Sequence, residues 1–475
     1  MRKLLGVALL AALLPSVAGA ATIVGGARGE RVVGTRLADL VDVTGGGRDR
    51  VACRGGLDTV MADPTDAVAA DCETVARRVA RDTTNGPGEH ETIAEPGAAS
   101  NGSTVVGAFQ VARNRDGGAA RIGFTTSTDA GTTWRSGLLP TGGWPVASDP
   151  VVAWDAVHRR WLVGALGLSG TEEALTITPS ADGLAWGAPV SAVRASRAEE
   201  AVPLDKEWLA CDNGAASPFA GRCYLAATVH TDTPRAELAL WSSTDAGATW
   251  TAGAVQKLGY FVQTAIRPNG TLVLVWMVGD TRTVVASRSS DGGATFSAPV
   301  EIARLNAGPR VRGLRAPSLP SVATSSAGEL VAVWSDCVQS GCEARSILLT
   351  RSPDGVTWSE PTPLPLGPGD HVLPSVAVEP GSGRLALADY TSPPLACCDL
   401  VAQVASSVDG TSWQVRRASV RPMKPSWLAL TEGGAFLGDY VATVFARGRA
   451  LSLVPLAVPP LKSGARRQAL FAVRY

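Results

Sequence analysis

The residues equipped for chemistry are few and scattered: the carboxylates Glu95, Asp149, Asp205 and Asp439, the cations Lys206 and Arg315, together with His371 and Tyr440. Two carboxylates facing one bond can divide the roles of general acid and of nucleophile or base, which is what cleavage of a glycosidic bond requires. A guanidinium beside them matches a carboxylate through two parallel hydrogen bonds. Only Asp205 with Lys206, and Asp439 with Tyr440, are neighbours in the chain. The fold has to gather the rest.

The elements able to do so are marked by a recurring stretch. STDAGTTW runs from Ser127 to Trp134, SADGLAW from Ser180 to Trp186, STDAGATW from Ser243 to Trp250, SSDGGATF from Ser289 to Phe296, SPDGVTW from Ser352 to Trp358 and SVDGTSW from Ser407 to Trp413. Their aspartates, Asp129, Asp182, Asp245, Asp291, Asp354 and Asp409, are 53, 63, 46, 63 and 55 residues apart. That period suits one unit of about four strands. Within each copy the aspartate can accept backbone N–H bonds, the glycine can take positive φ, and the closing aromatic ring can sit beneath the turn. These aspartates are therefore read as turn formers rather than as catalytic groups or calcium ligands, since the alternate carboxylates and closing Glu of an EF-hand are missing.

Between the turns lie strand-like runs such as ELVAVWS from Glu329 and SILLTRS from Ser346. The pattern predicts an all-β chain folded as a six- or seven-bladed β-propeller with four-stranded blades. Its divisions would be a leader over 1–20, an N-terminal segment over 21–88 that partly closes the propeller, and the propeller itself over 89–475. Thr74 to Ala80 reads either as a short helix or as a strand, and a strand shared with the C-terminal strands is preferred because it would close the propeller. In such a fold the repeated turns mark one face, and the entries to the inner strands mark the other. That second face would gather Glu91, Glu95, Asp149, Asp205, Lys206, Glu207, Gln263, Arg310, Arg312, Arg315, Asp370, His371, Asp439 and Tyr440 into one polar pocket.

The repeated turn resembles the Asp-box, or bacterial neuraminidase repeat, of sialidases and their relatives, from about Glu91 to the C-terminus. DKEWLACDNGAASPFAGRCY from Asp205, the loop from Ser335 to Cys342, and FLGDY from Phe436 also resemble secreted bacterial sialidase-like proteins. The resemblance implies an exo-acting glycoside hydrolase on sialic acid or related glycans, with Tyr440 as nucleophile, Asp149 or Asp205 as general acid and Arg315 holding the sugar carboxylate. Glu95, Lys206, His371 and Asp439 would line the substrate. The Arg-Ile-Pro motif of that family is matched only in part, by Arg121-Ile122-Gly123. Two alternatives stand beside it: a non-catalytic propeller that binds a glycan or protein, and a different hydrolase or lyase working through two carboxylates such as Asp205 and Glu95.

At the N-terminus, Arg2 and Lys3, the apolar run from Leu4 to Leu14 and Ala18-Gly19-Ala20 read as a secretory signal peptide cut after Ala20, which places the mature chain outside the cytoplasm, secreted or periplasmic. No segment reaches the roughly 20 apolar residues of a membrane span. Among 475 residues, 43 basic and 43 acidic side chains cancel, so bulk charge gives no reason to expect nucleic acid or an anionic membrane as partner. The eight cysteines suit an exported chain, with Cys53/Cys72, Cys211/Cys223 and Cys337/Cys342 as local disulfides and Cys397 and Cys398 left open. No pair has the CxxC spacing of a zinc site, and His90, His158, His230 and His371 are dispersed, so no metal is expected. No phosphate loop, nucleophile elbow or HExxH motif occurs, and no cofactor is expected.

Overall fold

The computed structural model describes residues 20–196, 204–230, 236–257, 259–278, 282–306, 313–392, 399–461 and 463–475. The leader read over 1–20 lies almost wholly outside them, as do Arg310, Arg312, Cys397 and Cys398. The described residues are all-β apart from one short 3-10 turn at Pro425–Trp427. No helix among the described residues is long and apolar enough to cross a membrane.

The expected propeller is corrected by the N-terminal segment and by the way the sheets join. Residues 22–80 wind into a β-solenoid of about three turns. Strands Thr22–Val24, Leu40–Asp42, Thr59–Ala62 and Thr74–Ala80 pair in parallel on one side, and Arg31–Val33, Arg50–Ala52 and Ala67–Val68 do so on another. Val32, Val41, Val51, Val60 and Val75 fill the space between them, with the Cys53–Cys72 disulfide. Carboxylates tie successive turns. Asp39 N–H donates to Asp58 Oδ1 at 2.7 Å, and Asp58 N–H donates to Glu73 Oε2 at 2.9 Å.

From the solenoid, hydrogen bonding continues instead of stopping at four strands. Thr74–Ala80 pairs antiparallel with the C-terminal strand Gln468–Arg474, which bridges to Glu89–Asn101. The meander of Glu89–Asn101, Thr104–Arg113, Ala119–Ser127 and Arg135–Leu138 joins the next one, Val146–Asp155 through Val190–Ser196, at Ala119 and Ala147. The result is a single fifteen-stranded sheet. Four separate four-stranded meanders follow, beginning with Leu204–Cys211, Tyr260–Ile266, Ser321–Thr324 and Asp370–Val378.

The second strands of the meanders are continuous apolar runs because both faces are covered. LVLVWMV at Leu272–Val278 and LVAVWSD at Leu330–Asp336 are almost wholly buried, and Val273, Val275, Ala332 and Trp334 meet in one core between their sheets. First strands lie side by side in chain order, and Ala442–Ala446 touches both the last of them, Asp370–Val378, and the first, Glu89–Asn101. The series therefore returns on itself, which is what brings distant residues together.

Each repeated turn connects a third strand to a fourth. In the turn at 243–250, Ser243 Oγ donates to Asp245 Oδ1 at 2.8 Å and accepts Gly247 N–H at 2.9 Å, while Asp245 accepts Thr249 N–H at 2.9 Å. Similar donors from Thr295 and Ser289 hold the Asp291 carboxyl down at about 2. These carboxylates are spent on the backbone. The ring of Trp250 donates to Gly247 O at 3.0 Å and packs half-buried against the core around Leu209 and Leu225. Because it is half-buried, Trp250→Ala should lower unfolding stability by about 2 kcal/mol, below the roughly 3 to 5 of a fully buried ring. Chemical denaturation measures this, and an unchanged midpoint would contradict the seating role.

Candidate active site

Five first strands share one irregularity. Pairing with the second strand slips between Ala94 and Gly97, Ser148 and Val151, Asp205 and Trp208, Tyr260 and Gln263, and Val372 and Ser375. At each slip one non-glycine residue takes a left-handed backbone: Glu95 at φ 50°, Asp149 at 51°, Lys206 at 47°, Phe261 at 56° and Leu373 at 55°. These are β-bulges, and a bulge re-aims the side chain it carries. Three of the five bear charge. Because the first strands are neighbours in a closed series, the bulges bring Glu95, Asp149 and Lys206 into mutual electrostatic contact.

A buried network fixes them. Gln110 Nε2 donates to Glu95 Oε2 at 2.5 Å and to Ser148 Oγ at 3.0 Å, and Arg113 donates to Gln110 Oε1 at 3.0 Å. Glu95 Oε1 accepts the backbone N–H of Asp439 at 3.1 Å. Arg315 grips Asp439 with two bonds, Nε to Oδ1 at 2.9 Å and Nη2 to Oδ2. Tyr440 donates its hydroxyl proton to the carbonyl of Pro150 at 3.0 Å. The ammonium of Lys206 lies 3.6 Å from the Tyr440 ring centre and 4.7 Å from that of Trp208, with no hydrogen-bond partner. Both carboxylate oxygens of Glu207 are buried without one.

Crowding carboxyl groups together away from water disfavours the ionised forms of Glu95, Asp205 and Glu207. Burial, then the charges of Asp149 and Asp439, push Glu95 up to about 8. The same causes in the same order push Asp205 up to about 7. Glu207 is raised well above the usual range by burial and by Asp149. Tyr440 is likewise raised, by burial and then by Glu95 and Asp149. Burial opposes the charge of Arg315, but its bonds to Asp439 outweigh that and raise its pKa.

Glu95, Asp149, Asp205, Lys206, Arg315, Asp439 and Tyr440 thus meet in one cluster. Asp205 and Arg315 form its more accessible edge. His371 stands apart. Its Nδ1 pairs with Asp389 at 2.7 Å and its Nε2 reaches Gly367 O at 3.1 Å, so both ring nitrogens are committed inside the last meander. Asp370 is bound by Arg345. Gln110, Arg113 and Trp208 escaped the sequence reading because they lie within ordinary strand patterns. A recurring Pro directly after Glu95, Asp149 and Leu373 was the available signal for the bulges, since Pro cannot donate to a ladder. Among the described residues no group of side chains could hold a metal ion.

A cavity of about 270 Å³ adjoins the cluster. Lys206, Asp439 and Tyr440 line it, with Trp208, Phe261 and Gln263, whereas Glu95, Asp149, Asp205 and Arg315 lie outside its lining. The cluster can offer a protonated carboxyl near neutral pH, ionisable carboxylates beside it and one uncommitted ammonium.

No family model and no curated protein matches the chain. Among solved structures it is similar to the Hadza microbial sialidase Hz136, at 16% identity over 72% of this chain and 68% of that one, TM-score 0.48. It is also similar to a Trypanosoma rangeli sialidase in complex with the inhibitor DANA, at 15% identity, TM-score 0.45, covering 67% of this chain and 57% of that one. A third is the α-L-arabinofuranosidase of Fusarium graminearum with arabinobiose, at 11% identity over 84% and 97% of the two chains, TM-score 0.43. The chain spans little more than half of the Trypanosoma enzyme. These likenesses are remote, and the reading of the site rests on its own residues.

Folded Asp205 keeps its proton up to about pH 7, whereas an unfolded aspartate releases it near 3.8. The native state therefore holds more protons between those values, and stability falls as pH rises through them. Asp205→Asn removes that loss. Its unfolding temperature, measured by differential scanning fluorimetry, should match wild type at about pH 4 and exceed it by a few degrees at about pH 8. A difference independent of pH would refute the burial of this titration.

Proposed function

We propose that this protein is an exported, exo-acting glycoside hydrolase with Asp205 as general acid. The observation that carries the reading is a carboxyl group held protonated near neutral pH at the accessible edge of a cluster of further carboxylates. Asp205 gives its proton to the departing glycosidic oxygen as the bond to the anomeric carbon breaks. Asp149, facing it across adjacent bulged strands, is the second carboxylate, which either bonds the anomeric carbon or takes a proton from the attacking water. Tyr440, its hydroxyl engaged by Pro150 O, serves the wall of the site rather than as nucleophile. The three disulfides Cys53–Cys72, Cys211–Cys223 and Cys337–Cys342 support export.

A sialic acid substrate is the resemblance's suggestion, and the arginines do not favour it. Arg315 is gripped by Asp439, Arg345 by Asp370, and Arg113 is held by Gln110 and Gly118 O. A binding-only function is the second reading, favoured by these spent groups.

Release of a fluorogenic reporter from a panel of glycosides, sialosides included, tests both. Turnover should fall at least about a hundredfold in Asp205→Asn, and kcat/KM should decline above about pH 7 as the acid loses its proton. Folded protein with no turnover on any member would leave the binding reading.

A further inference from the structure

Lys206 is buried and borders the cavity, and its ammonium has no hydrogen-bond or ion-pair partner among the described residues. The rings of Tyr440 and Trp208 fix its side chain from two sides. A desolvated ammonium without an oxygen acceptor is costly, and an anionic acceptor relieves that cost best, because a charge-assisted bond is about twice as strong as a neutral one. The protein supplies no such anion there. Glu95, Asp149, Asp205 and Glu207 lie outside the lining, and Glu95, Asp205 and Glu207 hold protons near neutral pH. Asp439 does line the cavity, but Arg315 holds it with two bonds.

The remaining walls describe the rest of the ligand. Lys206 stands at one end, level with the bulged residues Phe261 and Leu373, and the lining follows the first strands from there to Ser100, Thr324 and Val378. At about 3.3 Å per residue, the distance from Leu373 to Val378 is roughly 16 Å. Spread over that length, about 270 Å³ gives a mean cross-section of about 17 Å², a slot about one hydrocarbon chain wide. Most of the lining is apolar, including Leu319, Val322, Leu373, Val441 and Val444. Three of its polar side chains are spent on the fold: Gln263 Oε1 accepts Val322 N–H at 2.8 Å, Ser321 Oγ accepts Val376 N–H at 3.1 Å, and Thr443 Oγ1 donates to Ser375 O at 3.2 Å. A polyhydroxylated body would find few partners along such walls, whereas an alkyl chain needs none. With C–C bonds of about 1.5 Å a zigzag chain advances roughly 1.3 Å per carbon, so about ten to twelve carbons fill the length.

We propose that this cavity binds one molecule of a single-chain amphiphile, a medium-chain fatty carboxylate, with its carboxylate on the Lys206 ammonium and its alkyl chain along the first strands. This goes beyond the glycoside-cleaving reading and stands apart from it, because Asp205 and Arg315, the accessible edge of the cluster, are not part of the lining.

The test titrates the mature protein with decanoate, with decanol as the same tail without the charge, with acetate as the charge without the tail, and with glucuronic acid as a carboxylate on a polyhydroxylated body. Binding is read by calorimetry and by the side-chain resonances of isotope-labelled lysine, of which the chain has five. Decanoate should bind as one molecule per chain, shift one lysine resonance, and hold at least about tenfold more tightly than decanol. Affinity should rise about three- to fourfold for each methylene added from hexanoate to decanoate. Lys206→Met, which keeps the stem against both rings, should reduce decanoate binding to the level of decanol. If that variant does not fold, the wild-type series decides the matter alone. Decanol binding as tightly as decanoate, or decanoate binding with no lysine shift, would overturn the contact with Lys206. Affinity independent of chain length would overturn the apolar slot, and tighter binding of glucuronic acid would overturn the proposal in favour of a glycan. Binding of none of the four would remove it, whereas turnover of glycosides by the same protein bears on the glycan reading alone.

Discussion

The left-handed bulge repeated in the first strands is the constraint on which the rest depends. A non-glycine residue in that conformation costs of order 1 kcal/mol or more. Glu95, Asp149, Lys206, Phe261 and Leu373 all adopt it at corresponding places. Pro96, Pro150 and Pro374 follow three of them, and their missing N–H means that the break in the ladder forfeits no donor there. What holds the strain is the neighbouring material: second strands buried on both faces, and first strands pressed against each other around a closed series. Such strain persists only where the surroundings over-determine it.

The electrostatics of the cluster follow from the same geometry. Aiming Glu95, Asp149 and Lys206 at one region, next to Asp205, Glu207 and Asp439, removes water from groups that would otherwise ionise freely. Three cations, Arg113, Lys206 and Arg315, do not balance five carboxyl groups, so protons make up part of the difference. A carboxyl that holds its proton near neutral pH is a liability for stability and an asset for acid catalysis. The relay from Arg113 through Gln110 to Glu95 keeps the buried groups in one arrangement, so that a change at the accessible edge, at Asp205, is not absorbed by rearrangement behind it.

What could be read from the sequence was local. The turns at Asp129 through Asp409 announce themselves because their hydrogen bonds close within a few residues, and Thr74–Ala80 does pair with the C-terminal strand. The solenoid was hidden. Most of its strands are three or four residues long, too short for a period-two pattern, and its turns are joined by side chains such as Asp39 and Asp58 acting some nineteen residues away. The merging of sheets was equally unreadable, because it hangs on single contacts such as Gln468 with Thr92 and Ala119 with Ala147. At the site, charged residues near strand entries could be named. Whether each one met the cluster or a private partner could not, and His371, paired with Asp389 inside its own meander, shows the difference.

The same distinction governs the arginines. A guanidinium serves a ligand carboxylate only if it is not already serving one from the protein. Arg315 is partly exposed, yet its two bonds to the buried Asp439 make it part of the wall. Drawing it toward a ligand would leave Asp439 buried beside Glu95 and Asp149 without its counter-charge, a cost that the partial exposure of Arg315 reduces but does not remove. Any ligand carboxylate would have to repay that before gaining affinity. Lys206 carries no such debt, because its contacts are aromatic faces and its ammonium still lacks an acceptor. The side of the site that meets a ligand is therefore set by which cation is already spent, and the geometry leaves Lys206.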